Sequence, residues 1–146
     1  MSRVFLSYIT AVFATYLFGV IFNSQGNIAS VLSLGFDVTT LQRISAALHD
    51  FSNMTTLYLP LIALTTLCSY STAALIIKYL PQFRLIGFVL AGFVGLVLMH
   101  LVIKTTFGIS GIASTRTTIG LLSQGLAGAI GGYLFYRLST KPANPW

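Results

Sequence analysis

Long uncharged apolar stretches alternate with short polar segments along the chain. Charged residues bracket the stretches in pairs, which are Arg3 and Asp37, Asp50 and Lys78, Arg84 and Lys104, and Arg116 and Arg137. A bilayer core of about 30 Å needs about 20 apolar residues at a helical rise of about 1.5 Å each. Within lipid such a run must be helical, because a lone strand leaves its backbone groups unpaired. The pattern therefore predicts four transmembrane helices, at residues 4–22, 57–77, 85–103 and 119–136.

The composition excludes an ordinary water-soluble domain. Of the 146 residues, 55% are hydrophobic and 7% are charged, whereas soluble domains carry about 25% charged residues. We therefore predict an all-α membrane protein that forms one polytopic domain over residues 1–146, a four-transmembrane-helix bundle. A single cysteine, Cys68, excludes an intrachain disulfide. The net charge of +6 arises from a scarcity of acids and not from clustered cations, so no nucleic-acid partner is predicted.

The distribution of charge predicts an orientation. With an even number of spans both termini share one side of the membrane, and five of the eight basic residues lie on that side: Arg3, Lys78, Arg84, Arg137 and Lys141. The opposite side carries both acids together with Arg43, Lys104 and Arg116. Because basic residues favour the cytoplasmic side, we predict a bacterial inner-membrane protein with both termini in the cytoplasm and a short C-terminal tail at residues 137–146.

The first loop, residues 23–53, is long for a connection between packed helices. Asn27 is predicted to cap a short apolar turn at residues 28–36, and Asp37 to start a helix. On this helix two arcs separate, one apolar (Leu41, Ile44, Ala47, Leu48, Phe51) and one polar (Gln42, Arg43, His49, Asp50). The pattern predicts an amphipathic interfacial helix, with its apolar face either in the headgroup zone or capping the bundle.

Small residues recur every third or fourth position in three of the predicted spans. Lipid offers no hydrophobic drive for helix association, so small residues favour it by letting backbones approach closely. The predicted packing positions are Ser7, Ala11, Thr15 and Gly19 in the first span, Gly87, Ala91 and Gly95 in the third, and Gly120, Gly128 and Gly131 in the fourth. Packing within the bundle is the favoured interpretation, and oligomerisation or a polar pathway remains open.

The residues that could contact a ligand or a partner are concentrated on the predicted outer side of the membrane. His100 lies about one turn inside the third span, Arg116 opens the small-residue face of the fourth, and Gln124 continues that face. Polar groups inside a membrane are costly unless partnered, so these three are the leading contact candidates. Lys104, Arg43, His49 and Asp50 complete the candidate set. The alternative is that the cations reach headgroups, His100 is an interface residue and Gln124 bonds a neighbouring helix.

The sequence contains few of the residues and motifs that are typical of catalytic sites. Two histidines, two aspartates and one distant cysteine lack the spacing of a metal site, and no phosphate-binding, nucleophile-elbow or CxxC motif is present. No catalytic residue, metal or cofactor is predicted, while a lipid or a quinone-like amphiphile is kept as a candidate ligand.

The leading functional hypothesis is a non-catalytic membrane protein that acts through partners, as a subunit of a larger membrane complex or a homo-oligomer, with a contact site for a lipid, an amphiphile or a partner on its outer face. Two alternatives remain. One is an oligomeric pore or carrier for a small neutral or anionic solute, built around the fourth span with Arg116 setting an anion preference. The other is an intramembrane enzyme that uses His100 and Arg116.

Overall fold

A computed structural model of the chain describes residues 2–108 and 110–140, and this part is helical without a β-strand. The helices are α1 (Ser2–Ser33), α2 (Thr40–Met54), α3 (Tyr58–Ile77), α4 (Arg84–Phe107) and α5 (Thr118–Ser139). One-turn 3₁₀ helices precede α4, at Pro81–Phe83, and α5, at Ala113–Arg116. The predicted contribution of Lys141 and of the tail beyond residue 140 lies outside the described residues.

Four of these helices, α1, α3, α4 and α5, are long and apolar enough to cross a membrane. The prediction of an all-helical chain with four such helices is therefore confirmed. Many large apolar side chains point outward, including Phe5 and Leu6, which are each 67% exposed. Contiguous apolar surface of this kind is unfavourable in water, and it suits a chain whose solvent is hydrocarbon.

Local chemistry sets several of the helix ends. Thr39 and Gln42 form a capping box at the start of α2, in which each side chain bonds the other residue's backbone N–H. The Thr117 hydroxyl accepts the backbone N–H of Gly120 at 3.1 Å and so starts α5. Gly108 ends α4 with a φ of +68°, a left-handed conformation that glycine adopts without strain.

Helix α1 differs from the prediction at its C-terminal end. It continues from Phe22 to Ser33, so that its 32 residues extend about 48 Å and Asn27 lies inside the helix instead of capping a turn. Asn23 faces α2, and its amide donates to the Asp50 carboxylate at 3.4 Å. The long predicted loop therefore reduces to a short connection, and Thr39 rather than Asp37 caps α2.

Helix α5 is central in the arrangement, because it packs against α1 and against α4. Helix α3 packs on α4 and also contacts α1. At one end, the Arg3 guanidinium donates to the carbonyl oxygens of Leu138 and Thr140, both at 2.8 Å. We call this the Arg3 end; it also holds the end of α3 and the start of α4. The opposite end, where α2, the start of α3 and the end of α4 meet, is the α2 end.

The helix backbones of α4 and α5 approach closely. A Cβ atom built on Gly92 would clash with the Gly128 carbonyl oxygen, and one built on Gly128 would clash with the Gly92 carbonyl oxygen. On the other face of α5, a Cβ atom on Gly131 would clash with the Thr15 hydroxyl. Seven of the predicted packing positions are buried, which are Ser7, Ala11, Thr15, Gly19, Gly95, Gly128 and Gly131, whereas Gly87, Ala91 and Gly120 are half-buried.

Candidate functional site

The most deeply buried polar side chain in the candidate set is Gln124 of α5, which has no exposed surface. Its Oε1 accepts a hydrogen bond from the Tyr58 hydroxyl at 2.6 Å, and its Nε2 donates to the Gly19 carbonyl oxygen at 3.0 Å. The amide thus joins α5 to α3 and to α1. Both of its ends are engaged within the chain, so Gln124 does not line an outward-facing surface.

Tyr58, which bonds this amide, belongs to a group of three aromatic rings at the α2 end. The ring of Tyr58 lies 6.1 Å from that of Tyr16 and 5.9 Å, edge to face, from that of His100. The Tyr16 hydroxyl donates to the Phe51 carbonyl oxygen and lies 2.8 Å from the Thr55 hydroxyl. These contacts hold the end of α2 and the start of α3 against α1.

His100 is 4% exposed and carries a polar atom that the packing does not satisfy. Its Nδ1 lies 2.8 Å from the Leu96 carbonyl oxygen. A carbonyl oxygen only accepts, so Nδ1 carries the proton and Nε2 of the neutral ring carries the lone pair. Nε2 is buried and has no hydrogen-bond partner among the residues that the structure describes. The ring therefore presents a buried acceptor that lacks a donor.

A cavity of about 550 Å³ lies beside this ring at the α2 end, within the range of about 300–1,000 Å³ that is typical of small-molecule sites. Its walls are mainly apolar, and Tyr58, His100 and Asn53 supply the polar groups. We call it the His100 cavity; it is lined by Asn53, Met54, Leu57, Tyr58, Leu61, Met99, His100, Ile103, Phe107, Gly111 and Ile112.

The remaining site residues predicted from the sequence lie outside this cavity wall. Arg116 is exposed in the 3₁₀ turn before α5, so it does not belong to the small-residue face of that helix. Lys104 is exposed in the last turn of α4, where a cation is favoured by the helix dipole. Both side chains therefore lie at the surface, unlike His100 and Gln124, which are buried.

The three predicted residues of α2 bond to nearby polar groups. Arg43 is half-buried, and its Nη1 donates to the Gln25 side-chain oxygen at 3.3 Å. His49 is exposed, with Nε2 at 2.9 Å from the Asn53 amide nitrogen. Asp50 accepts the bond from Asn23 described above. Over residues 2–108 and 110–140, no group of three His, Cys, Asp or Glu side chains is placed to hold a metal ion.

The sequence indicates His100 and Gln124 as candidates but gives no sign of the cavity. Tyr58 is recognisable from the sequence only as an aromatic residue at a membrane interface. The aliphatic wall residues, such as Leu57 and Ile103, look the same in sequence whether they face a cavity or lipid. Only the tertiary arrangement at the α2 end distinguishes these two roles.

No protein-family model, curated protein or solved structure matches this chain.

Proposed function

We propose that the chain is an integral protein of a bacterial inner membrane, a four-helix transmembrane bundle with both termini in the cytoplasm. The four apolar helices and their outward-facing apolar side chains support the membrane setting. The hydrogen bonds from Arg3 to Leu138 and Thr140 place the beginning of α1 beside the end of α5. The concentration of basic residues at this Arg3 end supports its cytoplasmic assignment.

Helix α2 is proposed to lie in the outer interface with its apolar face in the headgroup zone. Leu41, Ile44 and Leu48 of its apolar arc are exposed by 77%, 55% and 64%, whereas Phe51 packs against Tyr16. A helix that capped the bundle would bury this arc. The exposed leucine and isoleucine side chains therefore favour contact with lipid.

Within this frame, the function that the geometry supports best is the binding of a small amphiphile that carries a hydroxyl group. The observation that carries it is the unpartnered Nε2 of His100 beside a largely apolar cavity. Leaving a buried acceptor unpaired costs about 1–3 kcal/mol, and a hydroxyl donor from a bound molecule removes that cost. Nε2 is itself covered, so binding includes a small shift of a neighbouring side chain. A quinol has the required donor, whereas the matching quinone has only acceptors.

The alternatives fit the geometry less well. A pore around α5 could not use Gln124 as a polar lining residue, because Tyr58 and Gly19 engage both ends of its amide. Acid–base catalysis needs a group within hydrogen-bond reach of the proton that moves. Among the described lining residues the titratable side chains are His100 and Tyr58, and the Tyr58 hydroxyl is already engaged by Gln124. We therefore propose a non-catalytic binding protein that acts through partners, with exposed Arg116 and Lys104 at the α2 end as contacts for a partner or for headgroups.

The test compares decyl-hydroquinone with decyl-benzoquinone, two probes with the same carbon skeleton of which only the hydroquinone has hydroxyl donors. The purified chain in mild detergent is unfolded thermally with each probe, because a ligand that binds the folded state raises Tm. We expect the hydroquinone to raise Tm more than the benzoquinone does. The substitution His100→Phe should abolish this difference, and it should be tolerated because it removes the unpaired acceptor with a ring of similar shape.

The matched control is His49→Phe, the same substitution at an exposed histidine of α2, which should keep the preference for the hydroquinone. Equal Tm shifts with both probes in the unmodified chain, or a preference that survives in His100→Phe, would overturn the proposal.

A further inference from the structure

A second concave surface lies at the Arg3 end, between α1 and α3. It is a groove of about 670 Å³, and its floor is an aromatic group in which Tyr70 and Phe135 stack at 4.8 Å and Phe88 meets Phe135 edge to face at 5.0 Å. Val4 and Phe5 of α1 form one wall, and Leu67 and Ala74 of α3 form the other. We call it the Arg84 groove, after the basic residue that lines it.

Arg84 is half-buried, and the residues that the structure describes do little to balance its charge. Its guanidinium donates one long hydrogen bond, of 3.4 Å, to the Ser139 hydroxyl, and it lies 6.0 Å from the centre of the Phe88 ring. Arg84 is also the first residue of α4, where the helix dipole disfavours a cation. A guanidinium has five N–H donors, so most of its bonding capacity is left for another group.

The chain holds no carboxylate side chain that could pair with Arg84. Its two acids are Asp37, in the connection before α2, and Asp50, on α2. Both lie towards the α2 end, and Asp50 bonds Asn23 there. The Arg3 end thus combines an apolar groove with a half-buried cation that neither of the two aspartates balances.

The other basic residues of this end are placed differently. Arg3 donates two hydrogen bonds to the last carbonyl groups of α5, an interaction that is favourable with the helix dipole. Lys78 and Arg137 are exposed and are not part of the groove wall. Arg84 therefore differs from them in joining charge to an apolar surface.

We propose that the Arg84 groove binds one anionic phospholipid, with an acyl chain between α1 and α3 and the phosphate on the Arg84 guanidinium. Arginine is suited to this role because its planar fork bonds phosphate oxygens bidentately. The groove continues from the charged site into apolar walls, which is the order of charge and hydrocarbon in a phospholipid. This site is independent of the ligand proposed for the His100 cavity.

The test uses delipidated full-length protein in mild detergent, titrated with phosphatidylglycerol or with phosphatidylcholine and read by native mass spectrometry. We expect phosphatidylglycerol to bind more tightly than phosphatidylcholine. Arg84→Gln should weaken phosphatidylglycerol binding by about tenfold, equivalent to about 1.4 kcal/mol. Arg137→Gln, which removes the same charge at an exposed position of the same end, should leave binding unchanged.

Two further arms separate the acyl chain from the phosphate. Ala74→Leu narrows the groove without changing its charge and should weaken binding of the whole phospholipid. Excess inorganic phosphate should not displace phosphatidylglycerol, because it lacks the acyl chain. If Arg84→Gln fails to fold, Arg84→Lys tests the same point, since lysine keeps the charge but loses the bidentate geometry.

Equal affinities for the two phospholipids would overturn the proposal, as would equal effects of Arg84→Gln and Arg137→Gln. Displacement by inorganic phosphate would instead indicate a free-anion site and would also overturn it. A negative result with the quinol probes leaves this outcome unaffected, because those probes report on the opposite end of the molecule.

Discussion

Gln124 connects three helices through one amide, and its removal should therefore be costly. In Gln124→Leu the Tyr58 hydroxyl loses the acceptor that it reaches at 2.6 Å and stays buried. The Gly19 carbonyl lies inside α1 and retains its helical hydrogen bond. We expect the variant to lose about 1–3 kcal/mol of unfolding free energy, measured by denaturant titration in mixed micelles.

The double variant Gln124→Leu/Tyr58→Phe supplies the control for that prediction. Replacing both partners by apolar groups of similar shape removes the stranded hydroxyl, so the double variant should be more stable than Gln124→Leu alone. If the second substitution recovers no stability, the bond between Tyr58 and Gln124 does not determine the cost.

At this scale the sequence identifies which residues are unusual but not what they contact. Gln124 and His100 are recognisable because each is a polar side chain within a predicted span. Their partners come from other helices, as Tyr58 and Gly19 do for Gln124, or remain unfilled, as at Nε2 of His100. The sequence pattern extends the face of α5 back to Arg116, whereas the cap at Thr117 starts the helix after it.

Helix boundaries could be predicted from the sequence where the terminating signal is local. Pro81 follows α3 and Thr117 caps α5, and these two helices lie within three residues of the predicted ranges. Gly108 ends α4 one turn beyond the predicted end at residue 103. The end of α1 was not predictable in this way. The polar residues after Phe22 resemble a loop, but Asn23 bonds Asp50 of α2 and Gly26 lies against Ser114. These tertiary contacts favour the helical conformation of the residues that follow Phe22.

The pairing of α4 with α5 depends on glycine at the contact. A methyl group at Gly128 would clash with the Gly92 carbonyl oxygen, which is backbone and cannot move aside without separating the helices. We expect Gly128→Ala to lower stability, because overpacking costs about 1–3 kcal/mol and outweighs the gain in helix propensity of about 1 kcal/mol. The unfolding free energy in mixed micelles measures this.

Gly87→Ala is the matched control for that element. Its added Cβ meets only the Ile77 side chain, with Cδ1 at 2.9 Å, and this flexible group can turn away. The control variant should match or exceed the original stability through its better helix propensity. A loss at Gly87→Ala as large as that at Gly128→Ala would show that close backbone approach is not what glycine provides at position 128.

For the molecule as a whole, charge separates more sharply than the net value of +6 suggests. Arg3, Lys78, Arg84 and Arg137 belong to the Arg3 end, whereas both acids belong to the connection before α2 and to α2 itself. The two proposed ligands follow the same division. A neutral hydroxyl donor suits the buried acceptor of His100 at the α2 end, and an anionic phosphate suits Arg84 at the other end. The two ends are therefore proposed to bind different classes of molecule from the leaflets around them.

Orientation in the membrane follows from this asymmetry and can be measured with engineered cysteines. In a Cys68→Ser background, Ser45→Cys places a thiol on α2 and Gln82→Cys places one at the Arg3 end, both at exposed positions. Because basic residues favour the cytoplasm, a membrane-impermeant maleimide should label the cysteine at position 45 in intact spheroplasts. The cysteine at position 82 should react only after permeabilisation. The reverse labelling order would place the Arg3 end outside. The proposed phospholipid would then bind in the outer leaflet, and the proposed hydroxyl-bearing amphiphile in the inner leaflet.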